Sequence, residues 1–191
     1  MRTIENQSTS NKSQIIMRKL KTWELERKSP EEFILSDKIP VVIVLDNIRS
    51  GHNVGSVFRT ADAFKVEKIF LCGHTCTPPH TEIYKTALGA EDIIPFSTIN
   101  SVIDCLENLK AKGYSLIGIE QTDSSNPLQE FNVVKNTHYA IVLGNEVNGV
   151  QLEALNLCDH ILEIPQEGTK HSLNISVAAG VVLWEFFKQL R

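Results

Sequence analysis

The sequence predicts an α/β domain: a parallel sheet with helices on both faces. Three observations carry that expectation. Short apolar runs rich in β-branched residues recur without polar alternation, as in Val41-Val42-Ile43-Val44-Leu45; a strand covered on both faces reads this way. Segments with helical spacing separate these runs. Several runs end in polar, glycine-bearing loops, and parallel sheets bind their ligands beyond the carboxyl ends of the strands.

In chain order, residues 1–14 are rich in Ser, Asn and Gln and are expected to lack order. Ile16, Leu20 and Trp23 recur at helical spacing, which predicts an amphipathic helix over 15–27. Ser29-Pro30-Glu31-Glu32 is a capping box with Pro at the first helical position, so a second helix should run to about Leu35. Residues 1–38 read as a polar tail and basic helical appendage, and 39–191 as the main domain. There, Val41–Leu45, Lys68–Cys72, Ile93–Phe96, Tyr114–Ile119, His138–Leu143 and His160–Ile164 are the six expected strands. Helices are expected over Val54–Phe64, over Thr81–Leu88 with a stop at Gly89, from a Ser97 cap to Lys112, and over Leu173–Leu190. Residues 121–137 form one long polar connection, either a mobile lid or a plain surface loop.

A chain of 191 residues fits one domain with a short appendage. No apolar run approaches the roughly 20 residues of a membrane span, and Met1–Ser8 lacks the apolar core of a signal peptide. No membrane partner and a cytoplasmic address are therefore expected. The net charge of −4 argues mildly against nucleic acid. The charge is uneven, though: residues 12–28 carry Lys12, Arg18, Lys19, Lys21, Arg27 and Lys28 against Glu24 and Glu26. That stretch is either a solvated helix face or a local RNA-binding face. Cys72, Cys76, Cys105 and Cys158 read as buried thiols. Cys72-Gly73-His74-Thr75-Cys76 with His80 has metal-binding residue types, but no second pair completes it, and no metal is expected.

Three loops hold residues suited to chemistry. The first, Asp46 to Ala61, ends a strand and places Asn53 where a helix N-cap belongs. Arg59 follows in a largely apolar helix, where a charge must be paired, snorkelled or functional. The second, Leu143-Gly144-Asn145-Glu146-Val147-Asn148-Gly149, is a tight glycine-bounded turn. It is a backbone cradle or a plain strand–turn–helix link with Glu146 in a first helical turn. The third runs from Ile164-Pro165-Gln166 to Ser172-Leu173-Asn174-Ile175-Ser176 and opens the last helix. Its polar residues are caps, or they position a substrate hydroxyl.

In order and spacing, these segments resemble the three motifs of the SpoU (TrmH) family of the SPOUT class, the S-adenosylmethionine-dependent RNA ribose 2′-O-methyltransferases. Asn53 to Ala61 resembles the first motif, Leu143 to Gly149 the second, and Ile164-Pro165 through Gly180 the third; the likeness spans roughly residues 39–190. The resemblance implies a C-terminal deep trefoil knot, S-adenosyl-L-methionine as cofactor, RNA as partner and a homodimer with its active sites at the interface. It implies Arg59 as the central catalytic residue, with Asn53, Glu146, Ser172 and Asn174 orienting it and the ribose. Guanidinium holds its proton in proteins, so a phosphate clamp and alkoxide stabiliser suits Arg59 better than a base. The cofactor is expected against Leu143, Gly144, Asn145, Ile164, Pro165, Gln166, Ser172 and Leu173, with Ile119 and Glu120 touching it. Among substrates, the basic stretch and the lack of a large N-terminal RNA-binding domain favour tRNA over rRNA. The alternatives are the same reaction on ribosomal RNA, a non-catalytic RNA-binding protein, a base-methylating relative, or an ordinary nucleotide-binding enzyme.

Overall fold

A computed structural model describes residues 17–191. The expected disorder of 1–14, the start of the 15–27 helix and the cation Lys12 lie outside the described residues. Seven strands form one sheet: β1 (Ile39–Asp46), β2 (Val66–Cys72), β3 (Phe96–Ile99), β4 (Ser115–Ile119), β5 (Asn126–Pro127), β6 (Tyr139–Leu143) and β7 (His160–Glu163). Their order is β3-β2-β1-β6-β4-β7-β5, and every pairing is parallel. The α-helices are α1 (Pro30–Leu35), α2 (Gly51–Ala63), α3 (Thr81–Ala87), α4 (Val102–Ala111), α5 (Leu152–Leu157) and α6 (Ile175–Leu190). The strand order reverses at β1, so the tips of β1, β6 and β4 sit side by side, and the loops leaving them part to open a crevice.

The uninterrupted apolar run of β1 serves two cores. Val41, Ile43 and Leu45 pack with α2, α3 and α6, whereas Val42 and Val44 pack with α4 and α5. Side chains alternate across a strand, so a sheet covered on both faces needs apolar residues at every position. α1 starts with the capping box read from the sequence: Ser29 Oγ accepts from Glu32 N, and Glu32 Oε2 accepts from Ser29 N at 2.8 Å. Phe33 then buries against the α2 side of the core, so α1 is docked on the domain.

Three expectations need correction. The predicted 15–27 helix is absent from its described part, which holds one 3-10 turn at Thr22–Glu24. Its apolar residues Met17, Leu20 and Trp23 are exposed, and short helices form by docking an apolar face rather than by spacing alone. The third strand lies at Phe96–Ile99, after the apolar Ile93-Ile94. Ile94 is fully buried in the connection following a 3-10 turn, and strand-like composition there reflects burial. The cap of α4 is consequently Ser101, not Ser97. A short helix, α5, occupies a stretch with too few residues to show a period. The 121–137 connection is pinned: Leu128 is buried, Ser125 Oγ donates to Glu163 Oε2 at 2.8 Å, and Val133 N donates to Gln189 Oε1 at 2.9 Å.

Candidate active site

The site is built at the strand tips. β1 ends on Asp46, whose side chain is buried but well partnered: it accepts from Asn47 Nδ2 at 2.7 Å, Gln151 Nε2 at 2.7 Å and Gln151 N at 3.1 Å. A buried carboxylate is tolerable when donors surround it, and here it ties the first loop to the second. Ser50, rather than Asn53, caps α2, its Oγ accepting from Asn53 N at 3.3 Å. The cap expected at Asn53 is thus supplied three residues earlier, and the Asn53 amide is free for longer-range contacts. Gly55 lets α3 press against α2, since a Cβ there would strike Thr86 and the Ile83 carbonyl.

Asn145 shapes the second loop. Its Oδ1 accepts from Val147 N at 2.9 Å and Asn148 N at 3.2 Å, its Nδ2 donates to Asn47 O at 2.8 Å, and its backbone pairs with Gly149 in both directions. A Cβ on Gly144 would fall on the Gly149–Val150 peptide, so the turn closes only over glycine. Glu146 therefore projects from a tight turn, not from the first turn of a helix. In the third loop, Asn174 caps α6, its Oδ1 accepting from Ser176 N at 2.9 Å and Ser176 Oγ at 2.7 Å.

These three loops meet through one relay. Asn53 Nδ2 donates to Glu146 Oε1 at 2.8 Å, and Asn174 Nδ2 donates to Asn53 Oδ1 at 3.0 Å. The polarity is self-consistent. A carboxylate only accepts, so Asn53 must offer it the NH2 group, which leaves Oδ1 for Asn174. Residues 93 and 121 positions apart in the chain are joined by side chains in this way.

Beside the relay lies a cleft of about 800 Å³ at the tips of β4 and β6. Of the residues expected to hold a cofactor, Ile119, Glu120, Leu143, Gly144, Asn145, Ile164, Gln166, Ser172 and Leu173 line it, as do Glu146 and Asn174. Pro165 does not line it, and the Asn145 side chain is spent on its own turn and on the first loop. Glu120 closes the floor, its Oε2 accepting from Val150 N at 3.0 Å. The sequence reading missed Gln121 and His171, which clasp the rim through Gln121 Nε2 donating to His171 O at 3.1 Å. It also missed Ala178 and Leu155, which supply apolar wall from α6 and α5. Gln121 just after β4 and Leu155 in the short α5 carry no distinctive pattern, whereas His171 and Ala178 lie inside the third motif segment. The lining is acidic, with Glu120, Glu146 and Glu163 present and neither Lys nor Arg. Such a cleft suits a cation flanked by an apolar or aromatic group and opposes a polyphosphate.

Arg59 stands outside the relay and the cleft. It is exposed on α2 and holds no ion pair or side-chain hydrogen bond among the described residues. It lies six residues beyond Asn53, about 9 Å along the helix axis, and does not line the cleft. With His52, Ser56 and Ala63 it forms the outward side of α2. The cysteine cluster is split by the sheet: Cys72 packs with the α4 core, where the neighbouring Cys105 and burial push its thiol up, and Cys76 packs on the α2 side. Among the described residues no group of three or more His, Cys, Asp or Glu side chains is placed to hold a metal ion.

Comparison with known proteins places this geometry. The model of the SpoU rRNA Methylase family matches residues 40–184. A 23S rRNA (guanosine-2′-O-)-methyltransferase of Nitrosomonas europaea is 33% identical over 149 residues, covering 78% of this chain and 56% of the relative. The corresponding enzyme of Neisseria meningitidis is 33% identical over 150 residues, covering 78% and 59%. The chain thus spans less than two thirds of the length of these relatives. Among solved structures, an AdoMet-bound rRNA methyltransferase from Sinorhizobium meliloti superposes with a TM-score of 0.74 at 27% identity, covering 79% of this chain and 57% of that one. A TrmH/SpoU tRNA modifying enzyme from A. aeolicus shares the fold, with a TM-score of 0.75 at 24% identity over 84% of this chain and 80% of that one.

Proposed function

The chain belongs to the SpoU rRNA methylase family, and from that premise we propose that it transfers a methyl group from S-adenosylmethionine to a ribose 2′-hydroxyl of RNA. One observation carries the reading: the three motif loops converge through the Asn53–Glu146 and Asn174–Asn53 hydrogen bonds at the mouth of an acidic, apolar-walled cleft. The cofactor supplies an electrophilic methyl on a cationic sulfur. The cleft fits that group, since its carboxylates favour a sulfonium and its Ile119, Leu143, Ile164 and Leu173 side chains offer an apolar seat for adenine.

The relay's work is positional. Glu146 keeps one carboxylate oxygen clear of Asn53, and the Ser172 hydroxyl at the rim has no partner among the described residues. Together they are placed to hold a ribose hydroxyl by hydrogen bonding. Arg59, exposed and unpaired, is available to grip an RNA phosphate bidentately and to stabilise the developing alkoxide. Its distance from the relay is bridged in a homodimer, where an exposed side chain of one copy reaches the cleft of the other. The outward stripe of α6, Val177, Val181 and Trp184, supports that pairing, with Trp184 54% exposed. Passage of the C-terminal segment through the preceding loops is likewise inferred from family membership.

We take tRNA as the substrate on the strength of the basic stretch ahead of the domain. The 23S rRNA relatives favour ribosomal RNA instead. Ribose-methylation mapping of total RNA from cells with and without the gene separates the two: a lost tRNA mark supports the first reading, a lost rRNA mark the second. Calorimetry with S-adenosylmethionine and with NAD tests the cleft. Binding of NAD and not the sulfonium would overturn the assignment.

A further inference from the structure

At the far end of α2, five cations from four segments gather on a surface the proposed site does not use. Arg27 and Lys28 precede α1, Lys38 leads into β1, Lys65 turns from α2 into β2, and Arg191 follows α6. Packing brings them together. Ile39 N donates to Lys65 O at 2.9 Å, which sets Lys38 beside Lys65. Phe64 packs on Phe187 with ring centroids 5.3 Å apart, and the Arg191 guanidinium lies 5.5 Å from the Phe187 centroid. Lys38 sits 3.9 Å from the centre of the buried Phe33 ring, which anchors α1 and the cations ahead of it at this end. Arg27, Lys28 and Arg191 are exposed, and none of the five holds an ion pair among the described residues. Burial, then mutual repulsion, pulls the Lys38 and Lys65 ammonium groups below the ordinary lysine range; Asp37 and Asp62 are the nearby counter-charges. Lys65 adds a separate clue. Its φ is +57, one residue past the α2 cap at Phe64, a left-handed position that glycine or asparagine fills at less strain. Glycine at this position would remove the charge and relieve the backbone together.

We infer that this cluster binds the phosphodiester backbone of the RNA, remote from the reacting ribose. The inference rests on the RNA reading above. The chain as a whole is acidic, and the cleft lining is acidic too, so a polyanion needs a separate cationic foothold. Within one copy, the run from Asn53 to Lys65 along α2 sets the cluster about 18 Å from the relay.

The test uses the full 191-residue chain and the variant Lys28→Ala/Lys65→Gly/Arg191→Ala, with unfractionated tRNA and deproteinised ribosomal RNA as probes. Affinity is measured across a salt series, S-adenosylmethionine binding by calorimetry, and methyl transfer on the same RNAs. The expected result is RNA binding at least about 10-fold weaker in 0.1 M salt. The slope of log K against log salt should be shallower by about 2, as for two to three lost phosphate contacts, with unchanged cofactor affinity and no fall in melting temperature. An unchanged slope and affinity in a variant whose wild-type parent methylates RNA overturns the patch. A patch-dependent slope in a wild type that transfers no methyl supports the patch and overturns the reading of the site.

Discussion

Asn53 owes its place in the relay to Ser50. Because the serine caps α2, the asparagine amide can face Glu146 and Asn174 at once. Asn53→Ala should leave Glu146 without its donor and Asn174 without its acceptor. A hydrogen bond to a charged group is worth roughly 1.5–3 kcal/mol, so single-turnover methyl transfer should fall about 10- to 100-fold while cofactor affinity stays within about twofold. Arg59→Lys should lose most activity, because a point charge cannot reproduce the bidentate fork; near-wild-type turnover would remove Arg59 from the mechanism. Gly144→Ala should abolish cofactor binding in calorimetry and lower stability by about 1–3 kcal/mol, the usual range for overpacking, since the added methyl meets the Gly149–Val150 peptide. The sequence made Asn53, Glu146, Ser172 and Asn174 visible as polar residues stranded at apolar strand and helix ends. It could not reveal which amide faces which, because that depends on a cap chosen three residues away. The exposure of Arg59 was illegible for a related reason: its helical neighbours are apolar, yet those at buried positions, such as Val57, Phe58 and Ala61, face away from it.

The elements were legible wherever burial and composition agree. β1, β4, β6 and β7 have apolar interiors covered on both sides, and they lie within two residues of the expected spans. Ile93-Ile94 misled because a buried connection and a buried strand share a composition, and 15–27 misled because spacing cannot show whether a docking partner exists. The Ser29 capping box was readable since its chemistry is local, and Ser29→Ala should cost about 1 kcal/mol in denaturant unfolding. Between α5 and β7, burial raises the Asp159 carboxyl, but the Leu116 N–H and the Lys110 ammonium at 2.9 Å outweigh it and hold the group below its usual range. A depressed carboxyl stabilises the fold above its unfolded value near pH 4 and loses that contribution as pH falls through the lower folded value. Asp159→Asn should therefore flatten the fall in melting temperature below about pH 4; an unaltered acid limb would discount the interaction.

Across the whole molecule, the sheet brings distant loops together and α2 and α6 carry exposed faces away from them. The homodimer proposed for those faces predicts that Trp184→Glu yields a monomer in light scattering, with methyl transfer lost and S-adenosylmethionine binding reduced only modestly. The deepest claim is chemical, namely that the acceptor is a ribose oxygen. Alkali cleaves RNA through a free 2′-hydroxyl, so a methylated ribose protects its own linkage. The decisive measurement is alkaline hydrolysis of tRNA and rRNA after incubation with the chain and methyl-labelled S-adenosylmethionine. The account predicts label in alkali-resistant dinucleotides, absent with Arg59→Lys; label in mononucleotides, or none from a folded, cofactor-binding chain on either RNA, would contradict it.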